Sequence, residues 1–253
     1  MKWTKIKNII LWFLLAMNIF MIAVITITTQ SRESVPEEVV DASVSVLAKS
    51  GFSINREIFP DNYHMLPDYS AKFYSASELS NLFFKKQTAF RTTGNSLVAT
   101  SGSQTLTVNG NRFVYESGRN KAEAESYSEI RKKLESIGID MRGAVYDEKE
   151  NCFYRMYNKA NLFNMSIQAM LDKDGNLCYV NGYWPKELTA GERKKFSFLE
   201  SAVKLKDYFP DGGNIEDIEL GFSLVSNGGE KYAFQPAWRV RVNGELKIIE
   251  QKE

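Results

Sequence analysis

Residues 163–184 read FNMSIQAMLDKDGNLCYVNGYW, and their reading decides the fold class. Phe163, Met165, Ile167, Ala169 and Leu171 alternate with Asn164, Ser166 and Gln168. A period of two puts one set of side chains on each face of a strand, so this is a half-buried β-strand. Asp172 to Asn176, DKDGN, is turn chemistry, and LCYVNGYW after it reads as the returning strand. The pair belongs to an antiparallel meander.

Working outward, the same grammar recurs on both sides. NSLVATSGSQTLTVNGNRFVYES, residues 95–117, reads as three strands, the last two joined at Asn109-Gly110. FSINREIF and SAKFYSA also read as strands, with a short helix in SASELSNLFFKK. Before them, Ser34 suits a helix cap, Pro36 the first turn, and Glu37 and Glu38 the positive end of the helix dipole. Val39, Val40, Val44 and Leu47 then share a face, with Gly51 as the stop. A second helix, from Asn120, puts Ala124, Tyr127, Ile130 and Leu134 on one face and ends at Gly138.

Residues 192–209, ERKKFSFLESAVKLKDYF, read as a third helix, followed by strands in IEDIELGFSLVS, YAFQPAWRVRVNG and ELKIIE. In the penultimate strand Trp238, Val240 and Val242 share one face and Arg239 and Arg241 the other. VNGNRFVYE and VNGELKIIE each close a helix-then-strands cycle. The expected fold class is α+β, with two or three helix-plus-antiparallel-sheet modules. Boundaries are expected at 36–118 and 119–253.

The chain has 253 residues, 43% hydrophobic and 25% charged, the balance of an ordinary globular protein. Without Lys2, Lys5 and Lys7 it carries 29 basic against 31 acidic residues, a net charge of −2. That leaves no electrostatic footprint for nucleic acid. One histidine, His64, and two cysteines, Cys152 and Cys178, are a poor inventory for metal ligation or acid–base relays.

From Ile9 to Ile27 the chain has 19 residues without a charge, interrupted by Asn18 and Thr26. A signal-peptide core is shorter, typically about 7–15 residues, and no small-x-small cleavage site or lipid-accepting cysteine follows. The expectation is a retained transmembrane anchor over 9–28, between a basic stub at 1–8 and a neck at 29–35. Lys2, Lys5 and Lys7 precede it and Glu33, Glu37, Glu38 and Asp41 follow. The positive-inside rule then places the amino terminus in the cytoplasm and the body outside the cell membrane. Trp3 and Trp12 are amphipathic, and Trp3 suits the interface. Asn18, at mid-span, is costly in lipid unless bonded, which makes it a candidate for pairing with another helix.

Trp3, Lys5, Lys7, Ile9, Leu15 and Asn18 occur in a spacing that resembles the start of the YycI proteins. PAWRV, Pro236 to Val240, resembles the family's closing strand, and the layout of one anchor and an outer α/β body is similar. Position 2 departs from the pattern, with Lys where an acidic residue is usual. YycI proteins are membrane-anchored regulators accompanying the WalK–WalR (YycG–YycF) two-component system of low-GC Gram-positive bacteria. The resemblance implies regulation without catalysis, with a YycH-like sister protein and a WalK-like sensor histidine kinase as partners, in control of cell-wall metabolism.

The remaining chemistry is weighed residue by residue. DKDGN departs from a calcium loop, since Gly175 comes fourth and Cys178 seventh, and a hairpin turn is the better reading. Cys152 and Cys178 lie near the starts of strands flanking a third, which favours buried thiols over a bridge. His64, in PDNYHMLPDYS, reads as an exposed loop tie between prolines. No nucleophile elbow, zinc-protease or phosphate-loop motif occurs. Most strand aromatics should be core, but Tyr183, Trp184 and Pro185 end a strand and suit the rim of an interaction surface. Trp238 joins them as a contact candidate. No catalytic, metal or cofactor residue is expected. The rival expectation is an extracytoplasmic ligand-binding module for a peptide, lipid or wall fragment, with an inert anchor. An enzyme using unassigned carboxylates ranks third.

Overall fold

The computed structural model describes residues 14, 15, 17–21, 34–121, 126–157, 159–226 and 232–250. The stub with Trp3, Trp12, the neck and most of the expected anchor lie outside the described residues. Leu14, Leu15 and residues 17–21 are helical. Among the described residues, no helix is long and apolar enough to cross a membrane.

The fold is α+β with a large, mainly antiparallel sheet. It divides into two compact units, each assembled from separated segments. Unit 1 takes Met1–Leu66, Lys194–Ile218 and Val240–Ile249; unit 2 takes Pro67–Arg193, Glu219–Arg239 and Glu250–Glu253. The sequence-based division at 118/119 is contiguous, whereas these units interleave.

Unit 1 opens with α1, Glu37–Lys49, and β1, Phe52–Ile54. Pro36 occupies the N-cap position with no side-chain cap bond, and Ser34 instead bridges to Asn62. Val40 and Leu47, seven residues apart, are the buried positions of α1. Val39, expected on that face, is 41% exposed. A short 3-10 turn, Arg56–Ile58, follows β1 where a continuous strand was expected. Asn55 ends the strand because its side chain accepts from Glu57 N. β1 pairs in parallel with residues 213–215.

Unit 2 contains most of the sheet. Its strands are β2, His64–Phe73; β3, Arg91–Thr93; β4, Ser96–Ser101; β5, Gln104–Asn109; and β6, Arg112–Glu116. After these come β7, Ala144–Asp147; β8, Cys152–Tyr157; β9, Ala160–Leu171; β10, Leu177–Tyr183; and β11, Pro185–Phe196. Then follow β12, Gly213–Ser226; β13, Tyr232–Val242; and β14, Glu245–Glu250. Strands β2, β11, β12, β13 and β14 contribute residues to both units, β14 belonging to unit 1 except for Glu250.

The 163–184 stretch folds as read. Phe163, Met165, Ile167, Ala169 and Leu171 are buried, and β10 returns antiparallel with Val180 opposite Ala169. On its other side β9 pairs with β8, and near its start it runs parallel to β12. The helices α2, Ala76–Phe84, and α3, Tyr127–Ser136, pack on β4, β5 and β9. Ser75 and Glu78 close a capping box at the start of α2. Ile130 and Leu134 of α3 enter the core, while Tyr127 is 53% exposed and stacks on Tyr146. Ala124 lies outside the described residues.

Two expectations fail for tertiary reasons. The helix expected over 192–209 is a strand as far as Phe196, followed by α4, Phe198–Ala202, and α5, Leu205–Tyr208. Along β11 only Pro185 and Phe196 are buried, so its charges are solvated as well on a strand as on a helix. Pairing beside β2 decides the matter, with Gly191 close against Asp68 O. His64 does not sit in a loop but opens β2, which absorbs Pro67. Proline's fixed φ suits extended backbone, and the β13 pairing of β2 uses Tyr69 to Ala71, beyond it.

Candidate functional site

On α1 of unit 1, one stripe faces inward through Val40 and Leu47 and another faces outward through Val39 and Val46, again seven residues apart. Val46 is 56% exposed and Val203, just after α4, is 78% exposed. Together with Ala42, Phe52 and Leu199 they line an apolar groove of about 420 Å³. Glu38 and Lys206 border it, and Lys206 Nζ donates to Ser50 O at 3.2 Å. Val39, Val46 and Val203 thus leave apolar side chains exposed along one groove.

Unit 2 carries a different cavity, of about 560 Å³, bordered by the end of α2, the end of α3, β5, β6 and the 172–176 turn. Its cations are Lys85, Arg119 and Lys133, and no Asp or Glu lines it. Lys85 is placed by its left-handed conformation at the C-cap of α2, φ +57°. Arg119 Nη1 donates to Asp172 at 2.8 Å, and Lys133 Nζ donates to Asn176 Oδ1 at 3.3 Å. Asp172 is itself held, accepting from Asp174 N and Asn176 N at 3.0 and 2.8 Å. Burial would raise its carboxyl, but these amides and Arg119 outweigh that and lower it. DKDGN is therefore a turn whose first carboxylate is committed to backbone amides and Arg119. Among the described residues no cluster of His, Cys, Asp and Glu could hold a metal ion.

A third cluster lies inside unit 2. Arg155 donates to Asp140 Oδ2 at 2.8 Å and to Pro185 O, and its guanidinium lies 5.4 Å from the Trp184 ring centroid. Trp184 Nε1 donates to Asp140 O at 2.7 Å, and Tyr74 Oη accepts from Asp140 N at 3.1 Å. Burial lowers Arg155, opposed by the adjacent Asp140 charge. Burial would also raise Asp140, but hydrogen bonds from Arg142 and the charge of Arg155 hold it at about 2. Arg155 is only 4% exposed and its terminal nitrogens are taken by Asp140 and Pro185 O, although its Nε finds no partner, so the cluster reads as structural.

The sequence-predicted contact residues fare unequally. Trp184 is fully buried and Pro185 is buried, so neither stands on a rim. The reason is Asp140 O, which gives the indole N–H a partner inside and lets the whole ring sink. Trp238 is also interior, 2% exposed, beside Val240 and Val242 on the inward face of β13. Tyr183 is half-buried, stacked on Phe73 and under Arg112. Asn18 Nδ2 donates to Leu14 O at 2.9 Å, which satisfies part of its amide within its own helix. Trp3 and Trp12 fall outside the described residues.

Cys152 and Cys178 are buried and not joined, with β9 between their strands. Burial pushes the Cys152 thiol up, away from the reactive thiolate. Sequence reading missed Val203 and the three cavity cations. Lys85, Arg119 and Lys133 are far apart along the chain, and only folding gathers them. The one local signal is Gly118 before Arg119, at φ +72°.

No protein-family model matches the chain, and no curated protein matches it. Among solved structures it is similar to an uncharacterised protein from Eubacterium rectale ATCC 33656, at 11% identity and TM-score 0.40. That match covers 79% of this chain and 86% of the other. It is also similar to the YpeB C-terminal domain of Bacillus megaterium, at 13% identity and TM-score 0.30, over 71% of this chain and 100% of that one. At these scores neither likeness bears on function.

Proposed function

We propose that this chain is a non-catalytic, membrane-anchored regulator that modulates a WalK-like sensor histidine kinase together with a YycH-like partner. Residues 9–28 anchor it as a single pass, with the amino terminus in the cytoplasm and the body outside. The YycI-like pattern from Trp3 to Asn18 supports the kinship, and the three lysines before the uncharged run support the orientation.

The observation that carries the reading is the place of the apolar groove. It lies on α1, whose first residue is ten positions beyond Ile27. Ten residues of fully extended chain reach at most about 35 Å, so the start of α1 stays within that distance of the bilayer and the groove is open to a membrane-tethered partner. A membrane-tethered sister protein is such a partner, and an apolar helix face on it matches Val39, Val46 and Val203. Asn18, through its remaining hydrogen-bonding capacity, is the second contact, inside the membrane.

The test is co-purification of the full chain with the YycH-like protein, alongside a kinase-dependent reporter. Val46→Asp puts a charge in the groove at an exposed position and is expected to lower recovery of the partner about tenfold or more. Asn18→Leu is expected to weaken helix association in a membrane two-hybrid assay. Unchanged recovery and unchanged reporter output in both variants would reject the reading.

A second reading, a ligand-binding module on an inert anchor, is favoured by the cationic cavity of unit 2. Exchanging residues 9–27 for an unrelated membrane helix separates the two, because only the ligand-binding module keeps full output after the exchange.

A further inference from the structure

We propose that the cavity between α2, α3 and β5–β6 of unit 2 binds a phosphorylated polyol. This does not rest on the regulatory reading, since the cavity is built from unit 2 alone. Three kinds of group converge there. Lys85, Arg119 and Lys133 supply positive charge, and with no carboxylate lining the cavity their fields add rather than cancel. An anion is the complement, and a phosphate can meet several N–H donors at once.

Arg119 is held ready for that task. Asp172 takes one Nη1 bond from it, which fixes the guanidinium while its other donors point elsewhere. Lys133 is likewise steadied by Asn176. Asp172 and Asp174 lie 2.8 and 3.8 Å from Arg119 Nη1 and offset part of its charge, so Lys85 and Lys133 carry most of the site's positive field and Arg119 serves mainly as a fixed hydrogen-bond donor.

Beyond the charges, Asn81, Gln104 and Asn176 bring carboxamides, each both donor and acceptor. Ser117 Oγ accepts from Arg119 N at 3.3 Å and keeps its own proton to donate. Alternating donors and acceptors suit vicinal hydroxyls, which present both. Phe83, stacked on the buried Tyr115 at 4.5 Å with 14° between planes, supplies an aromatic surface against which the C–H face of a polyol can pack. A bare anion would leave the carboxamides and the aromatic surface unused, and an apolar acid would leave the carboxamides unpaired. The volume, about 560 Å³, takes a unit of sugar-phosphate size.

Two sources share this chemistry, a free sugar phosphate and a polymer of polyol phosphates. The full chain in detergent micelles is titrated calorimetrically with glucose 6-phosphate, poly(glycerol phosphate), glucose and inorganic phosphate. The expected result is that a phosphorylated polyol binds at least tenfold more tightly than glucose or phosphate alone. Tighter binding of glucose 6-phosphate identifies the free source, and tighter binding of poly(glycerol phosphate) the polymeric one.

Lys85→Gln and Lys133→Gln are each expected to weaken that binding about tenfold, while Lys49→Gln, on α1 of unit 1, leaves it unchanged. Thermal melts of the variants establish that they remain folded. The proposal is overturned if neither phosphorylated polyol outbinds inorganic phosphate. It is equally overturned if folded Lys85→Gln and Lys133→Gln variants bind as the parent does.

Discussion

Arg155 brings a positive charge into unit 2 with its side chain only 4% exposed, and Asp140 is the carboxylate that makes this tolerable. Removing one partner of a buried pair leaves the other desolvated and uncompensated, at a cost of about 3–5 kcal/mol. Asp140→Ala is therefore expected to cost that much in urea denaturation, and a loss below ~1 kcal/mol would show the pair to be dispensable. The same carboxylate makes stability depend on acid. Asp140 falls to about 2 from an ordinary 3.8, and Glu78, bonded by Lys186, to about 2 from 4.5. A lowered carboxyl stabilises the fold above its unfolded value and ceases to do so as pH falls through its folded one. The loss should thus run from about pH 4.5 down to about 2 and be shallower in the variant. None of this was visible along the chain. Trp184 looked like a strand-end aromatic suited to a rim because nothing in its neighbourhood announces Asp140, 44 residues away, as the acceptor for its indole.

Local chemistry carries further for hairpins than for side-chain partners. Gly94, Gly102, Gly110 and Gly118 recur every eight residues, all at positive φ, and the first three begin the two-residue turns between β3, β4, β5 and β6. β5 and β6 are where the sequence places them, but their turn falls one residue later than the expected Asn109-Gly110, and β3, exposed throughout, has no counterpart in the expected strands. The two VNG tripeptides are not equivalent. The β5–β6 turn is Gly110-Asn111, whereas the β13–β14 turn is Asn243-Gly244, with φ +49° and +79°. Spacing alone does not report such a one-residue offset in register. Gly182 raises a separate issue, because a Cβ there would lie 2.4 Å from Phe113 Cζ. Gly182→Ala is expected to cost about 1–3 kcal/mol by overpacking, against about 1 kcal/mol for Gly110→Ala, which meets open space and pays only backbone strain. Chemical denaturation of both variants checks the order, and a reversed order would reject it. Where tertiary pairing outvotes local preference, as in β11, the charge pattern misleads, since a fully solvated strand has no buried face to announce it.

A contiguous boundary at 118/119 was the natural reading of two helix-plus-sheet cycles, but the molecule is knit from distant segments. Phe52 pairs with Gly213, and Asn161 donates to Glu219, so each unit needs chain from the carboxy-terminal third. Such pairings leave no mark on local sequence. A fragment ending at Arg193 keeps 67–193 of unit 2 but loses the buried Phe222, Phe234, Ala237 and Trp238. It is expected to show no cooperative thermal transition by near-ultraviolet circular dichroism. A sharp transition near that of the full chain would contradict the interleaving. The uncharged run at 9–27 and the meander at 163–184 are evident in the sequence, because both rest on composition and period. The cavity cations were not, because they meet only once the sheet is built.

That interleaving also sets a timetable for the newborn chain. Val40, Leu47 and Phe52 must be covered within unit 1, yet the last residue of that unit, Ile249, emerges 183 positions after Leu66. At a synthesis rate of about 5–20 residues per second, the first segment waits roughly 10–40 s for the last. During that interval its apolar side chains stand open to every other nascent chain nearby, so the burden on holding chaperones falls on the part of the protein made first.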